Sequence, residues 1–224
     1  MRHNTDEVND LIELSNKVAP FVVGYEGNVS KKSGNVFFIK ASGRRLSEVN
    51  EKSFIKYDFD LNQLNNFDYK GSMEVDFHAF LLNFERINYV CHTHPTQTMK
   101  ILCSDKIIDF AEKRLFPDQV VFNGPTSCVI PYTKPGKPLK TVIEKEISNW
   151  INEYYELPKL ILLANHGIIT MGSTPNECLI KTEICEKSAN IFLGSHFSQV
   201  NFLKKEHIDE LIEDENEKYR IKNL

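Results

Sequence analysis

The spacing of apolar positions changes period repeatedly along the chain, and each change predicts an element. Val8, Leu11, Ile12, Val18 and Ala19 approximate a helical stripe that Pro20 ends. Two glycines bracket Tyr25-Glu26, Val29 to Lys32 alternates, Ser33-Gly34-Asn35 is a turn signal, and Val36 to Ile39 is β-prone. This stretch predicts a hairpin, broken afterwards by Ala41-Ser42-Gly43. Phe54, Ile55, Tyr57 and Phe59 suggest one short strand within Arg44 to Lys70, followed by an Asn-rich loop. Glu74, Phe77, His78, Leu81 and Leu82 then fall on one face of a helix, with Glu74 at its N-terminal end.

The second half repeats this alternation. Tyr89 to Pro95 reads as a strand, and Pro95 to Cys103 and Ile107 to Leu115 as two helices. Val120 to Phe122 and Cys128 to Pro131 predict strands around the Asn123-Gly124-Pro125 turn. Lys134 to Pro138 is a loop and Leu139 to Tyr154 a helix. Lys159 to Ala164 and Ile168 to Met171 are strands flanking Asn165-His166-Gly167, and a long helix runs from Pro175, in its first turn, to about Leu193. Glu206 to Asn223 is charge-rich with few apolar positions, a terminal helix on a neighbouring subunit or a partly ordered tail. No linker divides the chain, so residues 1–224 are expected to form a single domain.

Composition narrows the partners. Of 224 residues, 41% are hydrophobic and 26% charged, which is ordinary for a globular protein. A net charge of -4 gives no electrostatic footprint for nucleic acid or an anionic membrane. No apolar run nears the roughly 18 to 20 residues of a bilayer span, and Met1 to Asn9 lacks a signal peptide's apolar core, so a cytoplasmic protein is expected. Five cysteines without a Cys-x-x-Cys pair read as buried thiols.

The chemistry concentrates in Tyr-Val-Cys-His-Thr-His-Pro. Side chains alternate along a strand, so His92 and His94 point to one side, about 6 to 7 Å apart along the chain, and can converge on one divalent metal. His166 stands where another apolar run stops at a polar residue and a glycine, and Glu74 opens the helix upstream of the His92 strand. A histidine at a strand end is more often a hydrogen-bonded core residue than a ligand, so the weight rests on the combination. Three imidazoles and a carboxylate suit zinc, or another divalent ion, with room left for substrate.

With these residues in view the chain resembles the class II aldolase/adducin family, which includes the zinc-dependent fuculose-phosphate and rhamnulose-phosphate aldolases and ribulose-phosphate epimerases. The resemblance runs from about Leu11 to Gly194 through five motifs in family order: Gly27-Asn28-Val29-Ser30, Ile39-Lys40-Ala41-Ser42-Gly43, Ser72-Met73-Glu74 with His78, His92-Thr93-His94-Pro95, and Asn165-His166-Gly167. It implies a three-layer α/β/α sandwich around a largely antiparallel sheet, assembled as a four-fold symmetric tetramer with active sites at subunit boundaries. Fifteen phenylalanines are more than one domain of this size need bury alone. The resemblance further implies that His92, His94, His166 and Glu74 bind zinc, with Glu74 also acid/base. Gly27, Asn28, Ser42, Gly43 and Ser72 would line a pocket for the substrate phosphate. The implied reaction cleaves or joins a ketose phosphate through a metal-stabilised enediolate.

Met73 stands where the sugar-phosphate aldolases usually carry a second serine, which removes one phosphate donor. Strand parity places Lys40 on the face of Ser42, where it either supplies a charge in place of that donor or is merely solvated. Where fuculose-phosphate aldolase supplies a tyrosine acid, Phe116 and Phe122 stand, leaving Tyr132 and Tyr219 as weak candidates. Alternatives on the same site are 4-epimerisation of a pentulose phosphate and decarboxylation of a sugar-acid phosphate. A non-catalytic adducin-like module would have no physical reason to keep the four ligands.

Overall fold

The computed structural model describes residues 5–194 and 202–222; residues 1–4 of the polar N-terminus and Asn223 fall outside this range. Among the described residues seven strands form one sheet: β1 (Asn28–Ser33), β2 (Val36–Lys40), β3 (Phe54–Asp58), β4 (Tyr89–Thr93), β5 (Cys128–Ile130), β6 (Leu160–Leu163) and β7 (Gly167–Gly172). Their order across the sheet is β3-β2-β1-β4-β7-β6-β5. Every pairing is antiparallel except β5 with β6.

Alternation along the strands divides the core into two layers. Phe37, Ile39, Val90, Ile161, Leu163, Ile169 and Met171 face α2 (Val75–Leu82) and α6 (Lys137–Tyr154). On the other side Val29, Phe38, Tyr89 and Cys91 pack against α1 (Thr5–Val18) and Cys178 of α7 (Pro175–Gly194). Leu160, Leu162 and Ile168 continue that layer against α3 (Thr96–Leu102), α4 (Ile107–Glu112) and α7. Helices on both faces of the sheet make the α/β/α sandwich that the resemblance implies. The hairpin, the strand in 44–70 and the helix beginning after Glu74 stand where the patterning places them.

The stretch Val120 to Phe122 is helical, not a strand: it lies in α5 (Pro117–Asn123). Pro117 is pre-organised for a first helical position. Val121 and Phe122 are then buried against Ile184 of α7, an apolar contact available only to the helical form of this run. The charge-rich terminal segment forms α8 (Lys205–Glu213) and α9 (Glu215–Lys222). It packs on its own chain, with α8 against α5, Ile221 in the α5–α7 cluster and the Leu203 N–H donating to the Arg114 carbonyl (2.7 Å). Four cysteines are buried as expected, whereas Cys103, just past the end of α3, is exposed. Among the described residues no helix is long and apolar enough to cross a membrane.

Candidate active site

The sheet register sets the site. Asn28 of β1 lies opposite His92 of β4, so both side chains share the face toward α2, with Glu74 at the N-cap of that helix. β4 ends at Thr93, and His94 follows just beyond it; the two imidazoles still converge, with their Nε2 atoms 2.9 Å apart. His166 sits in the turn between β6 and β7, after Asn165, whose φ of 55° is one that asparagine tolerates. Gly167 is needed for the close approach of β7: a methyl there would lie 2.5 Å from His94 Cδ2 and 2.6 Å from the Thr93 carbonyl oxygen.

Candidate ligand atoms of His92, His94 and His166 lie within 4.8 Å of one another. Glu74 bridges the group, with Oε2 3.3 Å from His92 Nε2 and Oε1 3.2 Å from His166 Nε2. The donor set fits a cation. A carbonyl only accepts, so His92 Nδ1, 2.9 Å from the Ile168 oxygen, carries the proton and Nε2 presents its lone pair. His94 Nδ1 lies 3.6 Å from Glu26 Oε2, and its Nε2 stands 2.9 Å from the His92 Nε2 lone pair. Either a proton on His94 Nε2 or a cation held between the two nitrogens satisfies that contact. Burial, reinforced by the neighbouring imidazoles, pushes His94 down to about 4, and burial also lowers His92, so neither ring carries a charge near neutral pH.

Glu74 is the complement. Burial pushes its carboxyl up, but His92, His166 and the Asn28 amide together hold it well below the usual carboxylate range. Neutral His92 supplies no full charge, so hydrogen bonds hold the carboxylate, chiefly Asn28 Nδ2 donating to Oε2 (2.8 Å). Among the described residues the buried Glu74 Oε1 has no hydrogen-bond partner, an orphan acceptor aimed at the same point.

A cleft of about 270 Å³ opens over this point. Gly27, Asn28, Lys40, Ser42, Gly43 and Ser72, the six residues singled out for substrate binding, all line it with Glu74, His94 and His166. Lys40 is not solvated: only 2% of it is exposed, and its ammonium donates to the carbonyls of Tyr25 (3.3 Å) and Arg44 (2.5 Å). The Ser72 hydroxyl oxygen accepts from Asn28 Nδ2 (3.0 Å) and the Glu74 N–H (3.3 Å), which leaves its proton free for the cleft. The Ser42 N–H is already given to the Lys70 carbonyl (3.0 Å), so the donors here are side chains more than backbone. Gly27, at φ 70°, lets β1 start under the His92 carbonyl, which a methyl would meet at 2.9 Å.

The profile of the Class II Aldolase and Adducin N-terminal domain matches residues 11–193. The chain belongs to the class II aldolase/adducin family. An L-fuculose phosphate aldolase of Methanococcus maripaludis is 29% identical over 172 residues, 76% of this chain and 86% of that protein. A 3-oxo-tetronate 4-phosphate decarboxylase of Haemophilus influenzae is 26% identical over 193 residues, covering 85% and 88%. Among solved structures an L-fuculose 1-phosphate aldolase superposes with a TM-score of 0.79 at 21% identity, covering 96% of this chain and 97% of that one. These relatives support an enzyme with a small-molecule substrate.

For a class II aldolase fold, some of the wall was not evident from sequence. Tyr25, Glu26, Met73 and Pro135 also line the cleft. Glu26 lies between two glycines with positive φ, a turn that presents it to His94, and the Tyr25-Glu26 pair between glycines was the available signal. Tyr132 and Tyr219 are both exposed, and neither lines the cleft. Phe122 is buried between α5 and α7, with Phe116 packed against that cluster.

Proposed function

We propose that this chain is a metal-dependent class II aldolase that cleaves or forms a ketose phosphate, with zinc as the expected metal on His92, His94, His166 and Glu74. The observation that supports it most is the convergence of three imidazoles and one buried carboxylate at the floor of a donor-lined cleft. A bound divalent ion supplies Lewis-acid stabilisation of the negative charge that carbon–carbon cleavage places on a ketone oxygen.

The rest is done by this chain's own groups. Glu74 Oε1, an acceptor without a hydrogen bond, takes the proton from a substrate hydroxyl and returns it in the reverse direction. Ser72 gives its free hydroxyl proton, and Lys40 its third N–H, to the phosphate or carboxylate end of the substrate. Met73 contributes no donor, and the buried ammonium takes over that role. Residues 1–224 act as one domain in a cytoplasmic homotetramer. Tyr25 and Met73, both exposed and both on the cleft wall, give a neighbouring subunit an apolar surface to cover.

Decarboxylation of a sugar-acid phosphate is the second reading. It is favoured because the decarboxylase relative aligns over 85% of this chain, against 76% for the aldolase. Incubating the zinc-loaded protein with a panel of ketose phosphates and sugar-acid phosphates separates the two. Carbon dioxide marks a decarboxylase, whose other product can itself be dihydroxyacetone phosphate; dihydroxyacetone phosphate or glycolaldehyde phosphate released with a second carbonyl fragment and without carbon dioxide marks an aldolase. Turnover of none of them overturns both.

A further inference from the structure

Behind Glu74 runs a line of buried hydrogen bonds whose every direction is fixed. Asn28 and Ser30, two apart on β1, face α2, where Glu74 and His78 stand one helical turn apart. A carboxylate only accepts, so the contact of Asn28 Nδ2 with Glu74 Oε2 (2.8 Å) sets the amide with its NH2 toward Glu74 and Ser72. Its oxygen therefore faces His78 Nε2, with which it is hydrogen-bonded, and that nitrogen must carry the proton. His78 Nδ1 is then a lone pair and accepts from the Ser30 hydroxyl, 2.6 Å away. Ser30, His78, Asn28 and Glu74 are all buried, and His78 stacks on Phe77 at 4.6 Å. Were the Asn28 amide reversed, its oxygen would meet Glu74 Oε2 at hydrogen-bonding distance with no proton between them.

We propose that Ser30 and His78 are a positioning pair: they lock the Asn28 amide so that its NH2 holds Glu74 toward His92 and His166. This rests on Glu74 belonging to the metal centre. Among the described residues the His78 side chain hydrogen-bonds only Ser30 and Asn28 and does not line the cleft, so it acts through Asn28.

The test begins with ¹⁵N-histidine NMR of the zinc-loaded full chain. His78 is expected as the Nε2–H tautomer; an Nδ1–H tautomer or an imidazolium would overturn the proposal. A double-mutant cycle on the Zn²⁺ Kd follows. His78→Leu should weaken binding about 10- to 100-fold, the range for partners that orient ligands. Asn28→Ala should do the same, and the double variant should be no more than about threefold weaker than Asn28→Ala, because both act on one contact. His78→Gln, whose amide can donate where Nε2 does, should recover most of the loss. Losses that multiply in the double variant, or equal losses for Gln and Leu, contradict the pair. If His78→Leu does not fold, the tautomer and the Kd of Ser30→Ala, expected to be weaker than the parent's, decide the matter. Zinc binding is read without a sugar, so an inactive substrate panel leaves this result standing. Weaker binding in Glu74→Gln together with unchanged binding in His78→Leu removes the pair alone.

Discussion

Replacing Lys40 by methionine should weaken substrate binding and strengthen the fold at once. The ammonium has three donors, of which two go to the Tyr25 and Arg44 carbonyls, leaving one for the cleft. Losing a charge-assisted hydrogen bond costs about 1.5 to 3 kcal/mol, or roughly 10- to 150-fold in KM at 1.4 kcal/mol per tenfold. Burial, only partly offset by Glu74, pushes Lys40 down from 10.5 to about 8. Its folded value lies below its unfolded one, so the unfolded chain binds more protons and stability rises as pH climbs from about 8 to 10.5. Below pH 8 the buried charge therefore costs the fold on the order of 3 kcal/mol. Methionine removes that cost, and water can reach the carbonyls of exposed Tyr25 and Arg44, so Lys40→Met should melt several degrees higher. Thermal melts at fixed zinc and KM on the sugar that the panel identifies measure both effects. For the parent, KM should rise above pH 8 and with added salt, and for the variant it should do neither. An unchanged KM with a lower melting temperature, or equal use of phosphorylated and unphosphorylated sugar, would refute the reasoning.

The other predictions concern the metal centre and the assembly. A His92→Ala, His94→Ala double variant should lose its metal on elemental analysis, and full metal content would sink the ligand assignment. Glu74→Gln at saturating zinc should keep one ion per chain while turnover falls more than about a hundredfold; loss of the ion would make Glu74 a structural ligand only. Gly167→Ala should lose metal and about 1 to 3 kcal/mol of stability, because its methyl would collide with His94 and the Thr93 carbonyl; a variant with parental metal content and melting temperature contradicts the close approach. Solution mass should be about four times 25.9 kDa, and an active monomer would contradict the tetramer.

Most elements were legible because their apolar period matches the face they bury. The β1–β2 hairpin had a glycine turn between β-prone runs, and α6 had a clean helical stripe. The error at Val120 to Phe122 has a specific cause. Three adjacent apolar residues carry no period, so they fit a strand or one turn of helix equally. What decided the matter was Pro117 before them and the apolar side of α7, more than fifty residues later, against which Val121 and Phe122 pack. The terminal segment left two alternatives open: its few apolar residues were too sparse to show that helices there also pack on the chain's own α5 region.

The site divides along the same line. Its candidate ligands could be read because each sits at a break in periodicity, at a strand end, a helix start or a tight turn. Their hydrogen-bond wiring could not, since it depends on register between segments far apart in the chain. Asn28 meets Glu74 because β1 pairs with β4 so that Asn28 lies opposite His92, and a two-residue slip would instead bring Ser30 there. His78 illustrates the gap most plainly. Its helical spacing placed it on the face of Glu74 and in the motif with Ser72-Met73-Glu74, yet its tautomer follows from two partners about fifty residues away, Asn28 and Ser30. Short-range spacing therefore names the groups that can bind a metal, and the sheet register decides which proton each neighbour must carry.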